Sequence, residues 1–209
     1  MVLPCTRMRK WRDMPKIVDH EARRRHIAEA VHRVIHDKGM ESVSLRVVAA
    51  EAGMSMGAVQ YYVTTKDQML LLALERIGIW IGERVAAVAA HQSTPLDVLR
   101  ATVLELLPLD EERSYLNRIG LAFQASSVVS EDQAAAMRLG LPLLLSFFAE
   151  QIRAAQTAGQ LAAHLDAGKE ASILYAFAQG VVNATLVGHY TPEEVAALLD
   201  YHLARLRAG

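Results

Sequence analysis

The residues best suited to chemical recognition cluster in one stretch, 46–66, with the sequence RVVAAEAGMSMGAVQYYVTTK. Gln60 can form bidentate hydrogen bonds with adenine, and Met56 or Ala58 can contact the methyl group of thymine. Gly57 lacks a side chain and would let the backbone approach a ligand closely. Hydroxyl and cationic side chains can bind phosphates, which position a protein on DNA without reading its sequence. In and next to this stretch they are Ser44, Arg46, Ser55, Tyr61, Tyr62, Thr65 and Lys66.

Each of these residues also has a plainer interpretation. One or both tyrosines can pack at a helix junction, and Lys66 can be a solvated lysine at the start of the next helix. The proposed contacts with bases and phosphates are supported only if the surrounding helices place this stretch on a DNA-binding surface.

The spacing of Ala49, Gly53 and Val59 predicts a helix-turn-helix. The first of two crossing helices needs a small side chain at the position where the second helix passes it, and Ala49 provides one. The turn needs a residue that tolerates positive φ, which Gly53 provides. Ala-x-x-x-Gly is common in ordinary helices, so the spacing alone is a moderate signal. In a helix-turn-helix, the N-terminal residues of the second helix meet base edges in the major groove.

Helical periodicity extends over nearly the whole chain, with apolar residues at three- and four-residue intervals and only six prolines. Glycine, proline and capping residues divide this pattern into about nine helices, which predicts an all-α fold. The predicted helices span 19–38, 45–52, 56–62, 66–90, 95–107, 111–128, 131–157, 167–189 and 192–207.

Charge is distributed unevenly along the sequence. Residues 1–66 contain 12 Lys and Arg against 7 Asp and Glu, a balance of +5, whereas 67–209 contain 10 against 16, a balance of −6. A basic front and an acidic rear fit a nucleic-acid-binding part joined to a part with another task, although chance can produce an excess of this size. We therefore divide the chain into a basic N-terminal extension at 1–18, a helix-turn-helix domain at 19–66 and a helical domain at 67–209.

The amino-acid composition limits the classes of protein to which this chain can belong. Hydrophobic residues make up 52% of the sequence, enough for a sizeable core. The single cysteine, Cys5, excludes a disulfide within the chain and fits the cytoplasm. No secretory signal and no uninterrupted apolar run of about 18 residues is present, so we expect no membrane span. The extension at 1–18 is either a basic arm that follows DNA or a dispensable segment ahead of Met14.

An enzyme is the main alternative of a different class, and a helical protein-interaction module is another. The sequence contains no Gly-rich phosphate loop, no HExxH and no Gly-x-Ser-x-Gly. His32 and His36 lie four residues apart and could share a metal ion, but no third ligand is evident. We therefore expect no catalytic residue, no metal and no cofactor.

The segment LRVVAAEAGMSMGAVQYYVTTKDQML resembles the DNA-binding signature of the TetR/AcrR family of bacterial transcriptional regulators. The chain departs from the family pattern mildly, with Met54 in place of Val and Val63 in place of Phe. The positions that match are Ala49, Gly53, Ser55, Gly57, Tyr61, Lys66 and Leu70.

The resemblance implies a homodimer that binds an inverted-repeat operator in double-stranded DNA and responds to a small-molecule effector. Repression relieved by the effector is the expected mode, with activation left open. The last two helices would form the dimer interface, which the resemblance favours over an internal core. The small and apolar residues assigned to that interface are Ala176, Gly180, Ala184, Gly188, Leu198, Leu199 and Leu203.

A pocket for the effector needs apolar walls with a few polar groups. The helices between the two ends of the chain provide such residues, each of which can also be a core or surface residue without a ligand. The candidates are Trp80, Arg84, Tyr115, Asn117, Arg118, Phe123, Phe147, Gln151, Tyr175 and Gln179. The sequence does not identify the effector.

Overall fold

The computed structural model describes residues 19–207, so the predicted extension at 1–18 lies outside the described residues. Within that range the fold is all-α, as predicted. The helices are α1 (His20–Lys38), α2 (Leu45–Glu51), α3 (Met56–Gln60), α4 (Lys66–Ala89), α5 (Pro95–Glu105), α6 (Glu111–Ser127), α7 (Glu131–Thr157), α8 (Ala167–Leu186) and α9 (Pro192–Arg205), with a 3-10 turn at Met40–Ser42.

Side-chain caps explain where most of these helices begin. The Asp19 carboxylate accepts from the Ala22 amide at the start of α1, over 3.0 Å. At the start of α9, Thr191 and Glu194 form a reciprocal capping box. These local signals are readable in the sequence, which is why the predicted starts agree with the observed ones. The ends differ more: α3, α5, α8 and α9 stop two to three residues before their predicted ends.

The interior consists of two clusters of buried side chains. The first joins α1, α2 and α3 to the N-terminal half of α4, and it includes Ile119 and Phe123 of α6. The second joins α5, α7, α8 and α9. The three-helix head is therefore packed directly on α4 and α6, and its core extends past the predicted boundary at residue 66.

Helix α7 is the one helix among residues 19–207 that is long and apolar enough to cross a membrane, judged by length and composition alone. Core helices of soluble proteins pass the same test. In this fold, α7 buries Phe148 and Ile152 in the second core cluster. Other apolar residues of α7 line a cavity, described below, and two of these, Leu139 and Leu143, are also exposed to solvent.

Candidate DNA-binding surface and ligand cavity

The turn between α2 and α3 has the geometry that the sequence predicts for a helix-turn-helix. Gly53 has a φ of +61°, a conformation that L side chains rarely adopt. Ala49 and Val59 are both buried, at 3% and 0% exposure, where the two helices meet the core. An ion pair between Arg33 Nε and Glu51 Oε1, over 2.7 Å, also ties α2 to α1.

The outer face of α3 is exposed and carries most of the predicted base-reading residues. Gly57 and Gln60 are exposed, Met56 is 47% exposed, and Ala58 is half-buried. Helix α3 ends at Gln60, so Tyr61 and Tyr62 belong to the following turn and not to the helix.

The two tyrosines have different environments. Tyr61 is 73% exposed, whereas Tyr62 is half-buried and packs against the first core cluster. Their rings meet edge to face with centroids 5.1 Å apart, and the His20 ring lies within 6 Å of both. Tyr61 therefore presents its hydroxyl to solvent, while Tyr62 also stabilises the junction.

Three predicted phosphate-binding hydroxyls are helix caps. Ser44, Ser55 and Thr65 accept hydrogen bonds from the amides of Val47, Ala58 and Gln68 at the starts of α2, α3 and α4. Because the oxygen is the acceptor in each cap, the hydroxyl hydrogen stays available to donate to a phosphate.

The two predicted cations of this surface lie at its edges. Arg46 is exposed on the first turn of α2. Lys66 Nζ lies 3.4 Å from the carboxylate of Glu41, whose side chain is 98% exposed. An ion pair this exposed is weak, so Lys66 can exchange Glu41 for a phosphate at small cost.

A cavity of about 740 Å³ lies between α4, α6, α7 and α8. Its wall is mainly apolar, with a few amide and charged groups. Gln124 Nε2 donates to Gln179 Oε1 over 2.7 Å, which joins α6 to α8. Of the residues predicted to bind an effector, six line the cavity: Trp80, Asn117, Phe123, Phe147, Tyr175 and Gln179.

The structure does not bring the other four predicted residues to the cavity wall. Arg84 forms ion pairs with Glu105 and Glu112 and does not line the cavity. The ring of Tyr115 packs against that of His36 of α1 in a tilted arrangement, with centroids 4.6 Å apart, and burial raises the pKa of the Tyr115 phenol. Arg118 is exposed, and Gln151 is half-buried outside the cavity.

Sequence reasoning missed several residues of the cavity wall. Glu105 and Arg113 lie at one end of the cavity, and four glycines on three helices widen it. An interior helical glycine costs roughly 1 kcal/mol relative to alanine, so four of them were a readable sign that space is needed there. A Cβ at any of these four would meet no atom within 4 Å; they are Gly78, Gly82, Gly120 and Gly140.

The predicted interface residues on α8 and α9 divide into two groups. Leu199 and Leu203 are buried at 0% and 4% in the chain's own core, so they are not available to a partner. Gly188 follows the end of α8 in a turn with φ +78°, where its role is conformational. Ala176, Gly180 and Leu198 are exposed, and Ala184 is half-buried.

No group of three or more His, Cys, Asp or Glu within residues 19–207 could hold a metal ion. His32, one of the pair considered as a metal site, is 5% exposed, and its ring instead contacts a backbone carbonyl.

A helix-turn-helix with an exposed second helix, joined to a helical body that contains a cavity, is the architecture of a DNA-binding transcriptional regulator. Residues 27–73 match the family described as bacterial regulatory proteins, tetR family, and residues 95–208 match the BetI-type transcriptional repressor C-terminal family. The chain belongs to the TetR family and is a DNA-binding transcriptional repressor, not an enzyme.

Individual relatives agree with this assignment. The chain is 33% identical to the HTH-type transcriptional regulator PksA of Bacillus subtilis (strain 168), over 80% of each chain. It is similar in structure to a transcriptional regulator from Rhodococcus sp. Rha1, with a TM-score of 0.77 and 28% identity over 88% of this chain and 95% of that one. It shares its fold with a regulator from Saccharomonospora viridis in complex with choline, with a TM-score of 0.79 and 22% identity over 88% and 96% of the two chains.

Proposed function

We propose that this repressor binds an inverted-repeat operator as a homodimer in the cytoplasm and leaves it when a small molecule fills the cavity. Residues 19–66 bind DNA, and residues 67–209 hold the effector and the partner subunit. The observation that carries the proposal is the position of Phe123. This residue is 1% exposed, belongs to the core cluster of the head and also lines the cavity.

The exposed side chains of α3 serve as the base-reading set in this proposal. Gln60 and Met56 are exposed and can reach base edges in the major groove. Ala58 and Gly57 permit a close approach. The surrounding hydroxyls and cations bind the backbone and fix the register; they are Ser44, Arg46, Ser55, Tyr61, Tyr62, Thr65 and Lys66.

The exposed faces of α8 and α9 serve as the dimer surface. Apolar and small residues follow one another along α8 at three- and four-residue intervals, through the exposed Ile173, Ala176 and Gly180 to the half-buried Ala184. On α9, Leu198 is 38% exposed and Tyr201 is 65% exposed. Two such helices from each subunit suit an isologous interface with twofold symmetry, which an inverted-repeat operator mirrors.

Helices α4 and α6 connect the cavity to the head. Both line the cavity, and both contribute side chains to the first core cluster. A ligand that favours one arrangement of these helices changes the separation of the two recognition helices, which must match grooves about 34–36 Å apart. The differential affinity of the ligand sets the size of the effect, commonly about 1–3 kcal/mol.

Selection of bound sequences from a random DNA pool, followed by fluorescence anisotropy on the selected site, tests this proposal. We expect an inverted repeat, a stoichiometry of one dimer per site and loss of affinity when either half-site is scrambled. Binding that is unaffected by scrambling both half-sites would overturn sequence-specific recognition, and monomeric protein on a single half-site would overturn the dimer.

A further inference from the structure

The two halves of α7 are held in the fold by very different amounts of buried surface. The C-terminal half buries four apolar side chains in the second core cluster, between Phe148 and Ala155. The N-terminal part, 131–141, contains one buried side chain, that of Gln133, and no buried apolar side chain. The first part of this long helix is therefore anchored much less firmly than the second.

The start of α7 is also the least supported helix start within residues 19–207. Each of the other eight α-helices begins with a side chain that accepts a hydrogen bond from a backbone N–H. Ser130, the residue before α7, forms no such bond. The turn ahead of it exposes Val128 and Val129, at 84% and 87%. A helix end without a cap and without packed side chains frays more readily than a capped one.

Gln133 is the single buried anchor of this part, and it is a poor one. The residue is 3% exposed, but its Oε1 has no hydrogen-bond partner among residues 19–207. A buried acceptor without a partner is unfavourable, because it has lost its hydrogen bonds to water and gained none. Movement of Gln133 into water would restore a partner to this oxygen, which offsets part of the burial that is lost.

A hinge lies where the weakly held part ends. Pro142 is inside α7 and is exposed. Because proline has no N–H, the carbonyl of Arg138 lacks its donor within the helix, and proline is one of the few established causes of a helix kink. Gly140, two residues earlier, adds backbone freedom. A bend concentrated at this point moves 131–141 as a unit and leaves the C-terminal half in the core.

The cavity between α4, α6, α7 and α8 opens to solvent beside this hinge. Leu139 and Leu143 both line the cavity, yet they are 77% and 75% exposed. Across the cavity, a Cβ at Gly78, Gly82 or Gly120 would meet no atom within 4 Å, so these positions leave space between α7 and the helices that face it. Residues 131–141 thus form one wall of the cavity without interlocking with the others.

We propose that residues 131–141 form a flap over the cavity, which bends away at Pro142 to admit the effector and then closes over it. When the flap closes on a ligand, Leu139 and Leu143 pack against its apolar surface and lose their contact with water. The inference rests on the proposed function only in that the cavity takes a ligand. It adds the route of entry and a gated step in the response.

Hydrogen exchange measured by mass spectrometry tests the flap in the free, full-length protein. We expect the amides of 134–141 to exchange at least about a hundredfold faster than those of 148–155. Pro142→Ala supplies a donor for the Arg138 carbonyl and should reduce this difference to less than about tenfold. Equal protection of the two halves in the unmodified protein would overturn the flap.

Stopped-flow fluorescence with Nile red, an uncharged dye that fluoresces in apolar sites, tests the route of entry. If the dye enters only through the open flap, Pro142→Ala should slow its association and its dissociation several-fold by the same factor. The dissociation constant should then stay within about twofold of its original value. Gln133→Met keeps an unbranched side chain of similar length without the unpaired oxygen, so it should slow both rates as well.

Pro192→Ala is the matched control, because Pro192 occupies the first position of α9, where no N–H is needed within the helix. It should leave hydrogen exchange and both rates unchanged. Unchanged rates in Pro142→Ala and in Gln133→Met, with thermal transitions that show both variants to be folded, would place the entrance elsewhere and overturn the proposal. Absence of any Nile red signal would count against the ligand-binding role of the cavity instead, and hydrogen exchange alone would then decide on the flap.

Discussion

The ring of His32 in α1 donates a hydrogen bond from Nε2 to the carbonyl oxygen of Ala73 in α4, over 2.8 Å. His32 is 5% exposed and Ala73 is fully buried. This bond fastens the first helix of the head to the helix that runs from the head into the body.

The stability of the protein should fall as the pH drops below about 6.5. Burial lowers the pKa of His32, so the unfolded chain binds a proton there before the folded protein does. The stabilising contribution is therefore complete above the unfolded-state pKa and is lost as the pH falls through it toward the lowered folded-state pKa. Urea unfolding at about pH 7.5 and 5.5 measures the loss.

His32→Gln keeps a donor for Ala73 without a titrating proton, and it should reduce this loss. Burial also lowers the pKa of His202, so His202→Gln is measured in parallel and the double variant should show the smallest loss. A pH dependence that is the same in all four proteins would contradict the assignment.

Gly180→Leu should disrupt the dimer. A Cβ at Gly180 would meet no atom within 4 Å in the chain itself, so the larger side chain is tolerated in the subunit and encounters only a partner. Overpacking at a helix contact costs about 1–3 kcal/mol or more, which should lower the mass observed by light scattering and weaken operator binding. Ala87→Leu on the exposed face of α4 is the control for added surface hydrophobicity.

Gln60→Ala and Lys66→Ala should weaken DNA binding in different ways. Gln60→Ala should cost roughly 1–3 kcal/mol and relax the preference at one base position. Lys66→Ala should weaken binding to all sequences and reduce the salt slope by about one. Glu41→Gln, which releases Lys66 from its ion pair, should leave base preference unchanged. Uniform loss of affinity in Gln60→Ala would reverse this assignment.

Gly120→Leu should produce a repressor that binds DNA but no longer responds to a ligand. Gly120 lines the cavity, and a Cβ there would meet no atom within 4 Å, so the leucine side chain occupies ligand space without displacing backbone. Ala125→Leu, on the exposed face of the same helix, should keep the response. Anisotropy on operator DNA, with and without a compound found by thermal-shift screening to release the wild-type protein, measures both variants. Retained release in Gly120→Leu would place the ligand elsewhere.

Local signals explain the parts of the fold that the sequence predicted well. Caps such as Ser44 and Thr65 act within three residues, and Gly53 is needed for its own backbone conformation, so one segment contains all the information. The residues proposed to bind DNA could be nominated for the same reason, since they lie within 23 positions of one another, from Ser44 to Lys66.

Long-range pairing explains what the sequence did not predict. Arg84 was predicted to line the pocket as a polar group on α4, but it pairs with Glu105 and Glu112, which lie 21 and 28 residues away on two other helices. Leu198 and Leu199 are adjacent and chemically identical, and only the packing of α9 decides that one is exposed and the other buried. The contribution of Ile119 and Phe123 to the core of the head had no local signal.

The shared core of the head has a consequence for the exchange of parts between regulators. Met69, Leu70 and Ala73 of α4 and Ile119 and Phe123 of α6 are buried with α1, α2 and α3. A hybrid repressor assembled by joining one member's residues 19–66 to another member's body would bring together two halves of a core that were never fitted to each other. We infer that a functional hybrid must take the head and the α4 and α6 surfaces that pack against it from the same protein. Recombination within this family is therefore limited by core packing more than by where the domains are joined in the sequence.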